Sequence, residues 1–285
     1  NRQPMRGPDT WGPAWVWVLL ASVLLASCRP TALPHRPPEI ATATSYLEAA
    51  VQDLLGHQTA VLRLAEPGTC PGHFDIRPSE VQKLRACRSL LRFDFQRSLD
   101  SRLGEPERNG PRVCEVSVRG GMGQPETYLA VCRQVAEHLT SLGLLKAEEA
   151  TQRLGAVRRR VEALTADLTN RVAAAGLVGV PVIASQHQAE FCEWLGLRVV
   201  AAYRPADVAG IREIDEAIAA GRLARVKLVI ANLPEGRRTA DALAERLGAR
   251  VVVFENFPAS REHRVVFDEM VGANVNRLLA NWPFE

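Results

Sequence analysis

The sequence lacks a strong charge bias. Its 285 residues carry 35 Lys and Arg against 32 Asp and Glu, a formal net charge of +3, with the two signs interspersed. Nucleic-acid binding needs clustered basic side chains, so this distribution argues against a nucleic-acid partner. The chain also lacks a phosphate-binding loop. Residues 120–123 read Gly-Gly-Met-Gly, with neither a G-x-G-x-x-G register between a strand and a helix nor a Walker lysine.

The sequence has no apolar run long enough to cross a bilayer. Residues 14–28 form a short apolar stretch that ends in small residues, the pattern of a cleaved export signal. Its last four residues, LASC at 25–28, resemble a bacterial lipobox, in which the cysteine is acylated and becomes the first mature residue. An ordinary signal with an incidental Cys28 is the alternative. We expect an exported lipoprotein, attached to a membrane through Cys28 and facing the periplasm or the cell exterior.

The sequence has few cysteines, and an odd number of them follow Cys28. Five follow it, so at least one thiol stays unpaired even in a compartment that permits disulfides. Cys87, Cys132 and Cys192 lie in helical apolar patterns, where packing in the core is the expected role. Cys70 lies outside such a pattern.

Short β-rich runs alternate with amphipathic helices from residue 39 onward, in two series. The first gives strands near residues 60–64, 90–93 and 113–118, and the second near 180–184, 199–203, 228–231 and 250–254. This repetition predicts an α/β fold with two βα lobes and mostly parallel sheets. The expected segments are a signal peptide at 1–28, a proline-rich tether at 29–38, an N-terminal lobe at 39–145, a linking helix at 146–176 and a C-terminal lobe at 177–285.

The segment between the two series has the pattern of one long helix. Apolar residues recur at spacings of three and four: Leu154, Val157, Val161, Leu164, Leu168 and Val172. Nearly thirty helical residues make a rod on the order of 40 Å, long enough to run along both lobes. A surface helix of one domain is the alternative, but the βα repetition restarts beyond this segment. We expect a rigid connector with little hinge motion.

A thiol and an imidazole stand three residues apart in Cys70-Pro71-Gly72-His73. Gly72 lets the backbone turn before His73, and Pro78-Ser79-Glu80 ends the loop and opens a helix. Such a loop is suited to presenting soft metal ligands. The simpler interpretation is a capped helix whose His73 hydrogen-bonds its own loop.

Several segments resemble motifs of the solute-binding proteins of zinc and manganese ABC transporters. They are EPGTCPGHFDIRPSEVQKLRACRSLLRFDFQRSLDSRL at residues 66–103, SQHQAEF at 185–191 with Leu-Gly-Leu at 195–197, ARVVVFEN at 249–256, and the spacing of Phe267, Met270 and Asn274. By this resemblance, His73 takes the place of the family's first ligand histidine. His187 takes that of the second-lobe histidine, and Glu255 that of the last, carboxylate ligand.

The chain also departs from the family pattern. The family's Asp-Pro-His-x-Trp loop is replaced by Gly-Gly-Met-Gly-Gln-Pro at residues 120–125, which has no imidazole. His187 is two residues closer to its Gly-Leu than usual, so Ser185 is an alternative at the aligned position. Zinc takes four ligands, and we expect Cys70 to be the fourth beside His73, His187 and Glu255. Water in that position, with Cys70 in a disulfide or as a plain loop residue, is the alternative.

The resemblance implies a monomeric metal-binding receptor that delivers its ion to an ABC transporter permease. We expect zinc as the ion, with manganese or copper less favoured; the softness of a thiolate ligand favours zinc or copper(I) over manganese. The resemblance implies no enzymatic activity. Two other functions are open. One is a degenerate module on the same scaffold that has lost metal and binds another solute or a protein. The other is an enzyme with Cys70 as nucleophile and His73 or His187 as base. The remaining histidines, at positions 35, 57, 138 and 263, are expected to be solvated.

Overall fold

The N-terminal lobe is built on a parallel four-stranded sheet. The structure is a computed structural model, and it describes residues 38–67, 78–102, 110–205, 208–262 and 264–282. The lobe contains β1 (Ile40–Thr42), α1 (Ser45–Leu55), β2 (Val61–Arg63), α2 (Pro78–Arg85), β3 (Ser89–Phe93), α3 (Ser98–Arg102), β4 (Arg112–Val116) and α4 (Pro125–Ser141). The strand order is β2-β1-β3-β4, with every neighbouring pair parallel. Helix α4 begins at a proline, whose fixed φ suits the first helical position.

One long helix, α5 (Ala147–Ala174), follows the first lobe. It has 28 residues, and Val157, Val161, Leu168 and Val172 are among those it buries. These are residues of the apolar repeat that predicts the helix. Among the residues described, no helix is both long and apolar enough to span a membrane.

The C-terminal lobe repeats the architecture. It contains β5 (Pro181–Ser185), α6 (Ala189–Trp194), β6 (Arg198–Tyr203), α7 (Ile211–Ala224), β7 (Leu228–Asn232), α8 (Arg238–Leu247), β8 (Arg250–Phe254), β9 (Ser260–Arg261), β10 (Arg264–Val265) and α9 (Phe267–Ala280). The main sheet has the parallel order β6-β5-β7-β8, and β9 pairs with β10 antiparallel. The predicted class, two α/β lobes joined by a long helix, is confirmed.

The end of the chain returns from the second lobe to the first. The Phe267 ring, at the start of α9, stacks on Tyr128 of α4, with centroids 4.1 Å apart and planes 5° from parallel. The backbone N–H of Val265 donates to Gln52 Oε1 of α1 at 3.0 Å. Buried residues of α4, α5 and α9 belong to one hydrophobic cluster. Two separate stretches of chain, α5 and the β10–α9 segment, therefore fix the two lobes against each other.

A polar clamp reinforces this arrangement. The Arg160 guanidinium, on α5, donates to both oxygens of Asp53 on α1, at 2.8 and 2.6 Å. Its Nε also lies 3.0 Å from a carboxylate oxygen of Asp268 on α9. Tyr128 donates its hydroxyl to Asp53 at 2.6 Å. Four helices thus meet at one ion-pair network, which we call the Arg160 clamp.

Candidate metal site

The candidate site of the C-terminal lobe lies where its parallel strands end. Ser185 is the last residue of β5, Asn232 is the last of β7, and Glu255 directly follows β8. Ligands of open α/β sheets bind beyond the carboxyl ends of the strands, because the loops that follow neighbouring strands converge there. The loops after these three strands supply the polar side chains of the site.

His187, Ser185 and Glu235 form a contacting group. Ser185 donates its hydroxyl to Glu235 Oε2 at 2.6 Å, and the His187 backbone N–H donates to Ser185 Oγ at 3.3 Å. His187 Nε2 lies 3.3 Å from Glu235 Oε1. The imidazole is 58% exposed, whereas the Glu235 side chain is only 11% exposed. A largely buried carboxylate therefore faces a largely exposed imidazole.

Beneath this group lies a cluster of three buried amides. Gln188 Nε2 donates to Asn232 Oδ1 at 3.0 Å and to Asn256 Oδ1 at 2.8 Å. Gln188 is fully buried, and its Oε1 has no hydrogen-bond partner within the described part of the chain. The three amides join the loops after β5, β7 and β8. They are uncharged and are not the imidazole, thiolate or carboxylate ligands that zinc prefers.

Glu255 is hydrogen-bonded to two residues of α9, Asn274 and Arg277. Its backbone N–H donates to Asn274 Oδ1, and its carbonyl accepts from Asn274 Nδ2, both at 2.9 Å. Its carboxylate accepts a short hydrogen bond from Arg277 of α9. The positive guanidinium neutralises the charge that a cation would otherwise meet. Across the ranges that the structure covers, no three His, Cys, Asp or Glu side chains are grouped so that they could hold a metal ion.

Three other residues of the predicted site lie outside the described part of the chain. They are Cys70 and His73 of the N-terminal lobe and the lipidation residue Cys28. Their predicted roles stay predictions. The described cysteines, Cys87, Cys114, Cys132 and Cys192, are free thiols. Burial raises the pKa of Cys87 and of Cys114 to about 11, so both stay protonated at neutral pH.

The glycine loop that replaces the family's Asp-Pro-His-x-Trp loop packs directly on the second lobe. A Cβ atom on Gly123 would lie 2.7 Å from the Phe191 ring of α6, and one on Gly121 would lie 3.2 Å from Glu190 Cβ. Gln124 Nε2 donates to the Glu190 carbonyl at 3.1 Å. The loop needs glycine because backbone fills the space against α6, which leaves no room for an imidazole at these two glycines.

One of the remaining histidines differs from expectation. His138 Nε2 is 2.6 Å from the Ser89 hydroxyl, and the ring is half-buried. The prediction of a solvated side chain is wrong here, because the last turns of α4 lie over the start of β3. Burial, and secondarily the charge of Arg112, lowers the pKa of His138. His57 is exposed, whereas His35 and His263 lie outside the described residues.

Comparison with known proteins defines the family. The sequence pattern of the family described as ZnuA, the zinc-uptake complex component A, periplasmic, matches residues 123–281, more than half of the chain. The chain belongs to this family. The resemblance recognised in the sequence is thereby confirmed, and the family is one of solute-binding receptors rather than enzymes. No match was found among curated proteins.

Solved structures share the fold at low sequence identity. The Mn-bound periplasmic metal-binding protein from Candidatus Liberibacter asiaticus superposes with a TM-score of 0.71 at 11% identity, covering 85% of this chain and 98% of that one. The Cd-bound form of that protein gives the same values. A crystal structure of ZnuA gives a TM-score of 0.69 at 13% identity, with 85% and 98% coverage. At such identities the likeness carries the fold and not the ligands.

Proposed function

We propose that this protein is an exported receptor that binds a divalent metal ion, preferentially zinc, and delivers it to an ABC transporter permease. Membership of the ZnuA family supports the class of function. The observation that carries the proposal for this chain is His187, an exposed imidazole next to the largely buried carboxylate of Glu235, where the C-terminal strands end. The proposed first-lobe donors are His73 and Cys70.

The donor chemistry favours zinc over manganese. Imidazole and thiolate are borderline-to-soft ligands that suit Zn²⁺, whereas Mn²⁺ is better matched by carboxylate, carbonyl and water. Neighbouring structures hold manganese, cadmium or zinc, so the fold accommodates several divalent ions. The preference in this chain rests on its own donors. Glu255, the carboxylate expected from the family pattern, must first leave Arg277 to bind a cation.

Export and lipid anchoring belong to the same proposal. The apolar residues 14–28 and the LASC sequence at 25–28 support a lipoprotein signal, and the family is periplasmic. Cys28→Ala in a bacterial host should release the product from the membrane fraction. A variant that stays membrane-bound after this change would contradict acylation at Cys28.

A second candidate function has specific support. The Glu255 carboxylate is paired with Arg277, and the glycine loop packs against α6 where relatives are expected to have a histidine. One of the four expected ligands, Glu255, is therefore held by a contact that does not involve metal, and the loop that carries a further family histidine has no imidazole. A module that kept the scaffold and now binds a different solute or a protein is consistent with both features.

Zinc titration followed by thermal unfolding separates the two functions. A ligand that binds only the folded state adds about 2.7 kcal/mol to the free energy of unfolding when its free concentration is about 100 times Kd. For a chain of this size that corresponds to a rise in Tm of roughly 5–10 °C. We expect this rise in the unchanged protein and its loss in His73→Ala. His57→Ala, at an exposed position away from the site, is the control and should keep the shift. An unchanged protein with no shift at millimolar zinc would favour the metal-free module.

A further inference from the structure

Glu235 presents an unsatisfied carboxylate oxygen to His187. Its Oε2 accepts the Ser185 hydroxyl, but its buried Oε1 has no hydrogen-bond partner among the described residues. The His187 Nε2 atom is 3.3 Å away and does not make a well-formed hydrogen bond with it. Burying an ionised oxygen without a partner is costly, so such an atom points to a missing cation or ligand.

The spacing of the two atoms matches a pair of metal ligands better than a direct ion pair. A charged N–H···O⁻ hydrogen bond is about 2.7–2.9 Å long, shorter than the observed contact. Two donors placed about 2.0–2.1 Å from zinc along tetrahedral directions lie about 3.3–3.4 Å apart. The observed separation of 3.3 Å falls in that range.

The surrounding chain holds the carboxylate in place. Glu235 is the last residue of the 3-10 turn Leu233–Glu235, which directly follows β7. Ser185, at the end of the neighbouring strand β5, fixes Oε2 and so aims Oε1 at the imidazole. Glu255 has no comparable freedom to bind a cation, because Arg277 already neutralises it.

We infer that His187 Nε2 and Glu235 Oε1 are paired zinc ligands, and that Glu235 rather than Glu255 is the carboxylate ligand of the C-terminal lobe. This assignment rests on the proposed function, since it names a ligand of the same receptor. The pair occupies two of the four zinc positions. Water can complete the coordination for the purpose of a binding measurement.

Substitutions of the two glutamates test the assignment. Glu235→Gln keeps the shape and can still accept from Ser185, but it removes the charge. Mutation of residues that only hydrogen-bond a metal ligand typically lowers metal affinity about 10–100-fold. Loss of a direct ligand should therefore weaken zinc binding by roughly 100-fold or more. Glu255→Gln tests the competing assignment, in which Glu255 is the carboxylate ligand, and by our inference its zinc affinity should stay within about threefold of the unchanged protein. Zinc affinity is measured by competition with a chromophoric chelator, and circular dichroism checks that each variant is folded.

The outcomes separate this inference from the proposed function. If Glu255→Gln loses affinity as much as Glu235→Gln or more, the assignment is overturned while the receptor function stands. If the unchanged protein binds no zinc, the proposed function itself fails.

A measurement on the unchanged protein tests the same point without any substitution. In the arrangement we infer, zinc binds Nε2 of His187. If Glu235 only orients the ring from Nε2, a metal would bind Nδ1 instead. With ¹⁵N-labelled histidine, we expect zinc to shift the Nε2 resonance of His187 as a bound nitrogen. Coordination at Nδ1 would overturn the inference, since Glu235 would then face away from the metal.

Discussion

Arg160 is the residue whose removal should most loosen the two lobes from each other. It is the centre of the Arg160 clamp, where it meets Asp53 of α1 and Asp268 of α9. Arg160→Met keeps most of the aliphatic stem and removes the charge. The Asp53 side chain is only 7% exposed, so the change leaves a buried carboxylate with Tyr128 as its remaining partner in the clamp.

The expected cost follows from the burial of the pair. Removing one partner of a buried ion pair typically costs about 3–5 kcal/mol. The Arg160 side chain is 36% exposed, and water that enters its space will hydrate part of the orphaned charge. We therefore expect about 2–3 kcal/mol, which lowers the Tm by roughly 5–10 °C for a chain of this size.

Chemical and thermal denaturation of the metal-free protein measure this cost. Arg159→Met, at an exposed position on the same helix, is the control and should change stability by less than about 0.5 kcal/mol. The double variant Asp53→Asn with Arg160→Met should lose less than the sum of the single changes, because it removes the orphaned charge. Equal stability of Arg160→Met and Arg159→Met would refute the clamp.

Two further predictions concern the first lobe and its contact with the second. Gly123→Ala places a methyl group 2.7 Å from the Phe191 ring and should lower the free energy of unfolding by about 1–3 kcal/mol. Gly272→Ala, in α9, is the control: its new Cβ has no atom within 4 Å, so the change should be neutral or slightly stabilising. Equal melting temperatures of the two variants would contradict the packing argument. Hydrogen bonds from Arg97, and next from Arg92, lower the pKa of Glu115 from 4.5 to about 2, so its contribution to stability is present above pH 4.5 and is lost as the pH falls towards 2. Glu115→Gln should flatten the acid limb of the stability profile, and an unchanged limb would count against this network.

Local sequence patterns predict most of the fold. The strand expected at residues 250–254 is β8, and the helix expected between 146 and 176 is α5, from Ala147 to Ala174. Both depend on periodic burial within a short window, which sequence records directly. The return of the chain from β10 to α1 is different, because the contact between Val265 and Gln52 joins positions 213 residues apart.

The candidate site is less predictable for the same reason. His187 stands out as a histidine in a recognisable motif, but Glu235 gains its role only because β5 and β7 are neighbours, which brings Ser185 to it across 50 residues. The engagement of Glu255 by Arg277 likewise depends on how α9 packs near the end of β8. The glycines at 120–123 mark a missing imidazole in the sequence, whereas their contact with Phe191 emerges only from the packing of the two lobes.

The metal content of the folded chain tests the central claim most directly. The protein is purified without chelator, dialysed against equimolar zinc and manganese, and analysed for each element per mole of chain. A receptor with His187 in its site should retain one zinc per chain, and His187→Ala should retain much less. A folded protein that retains neither metal would contradict the account.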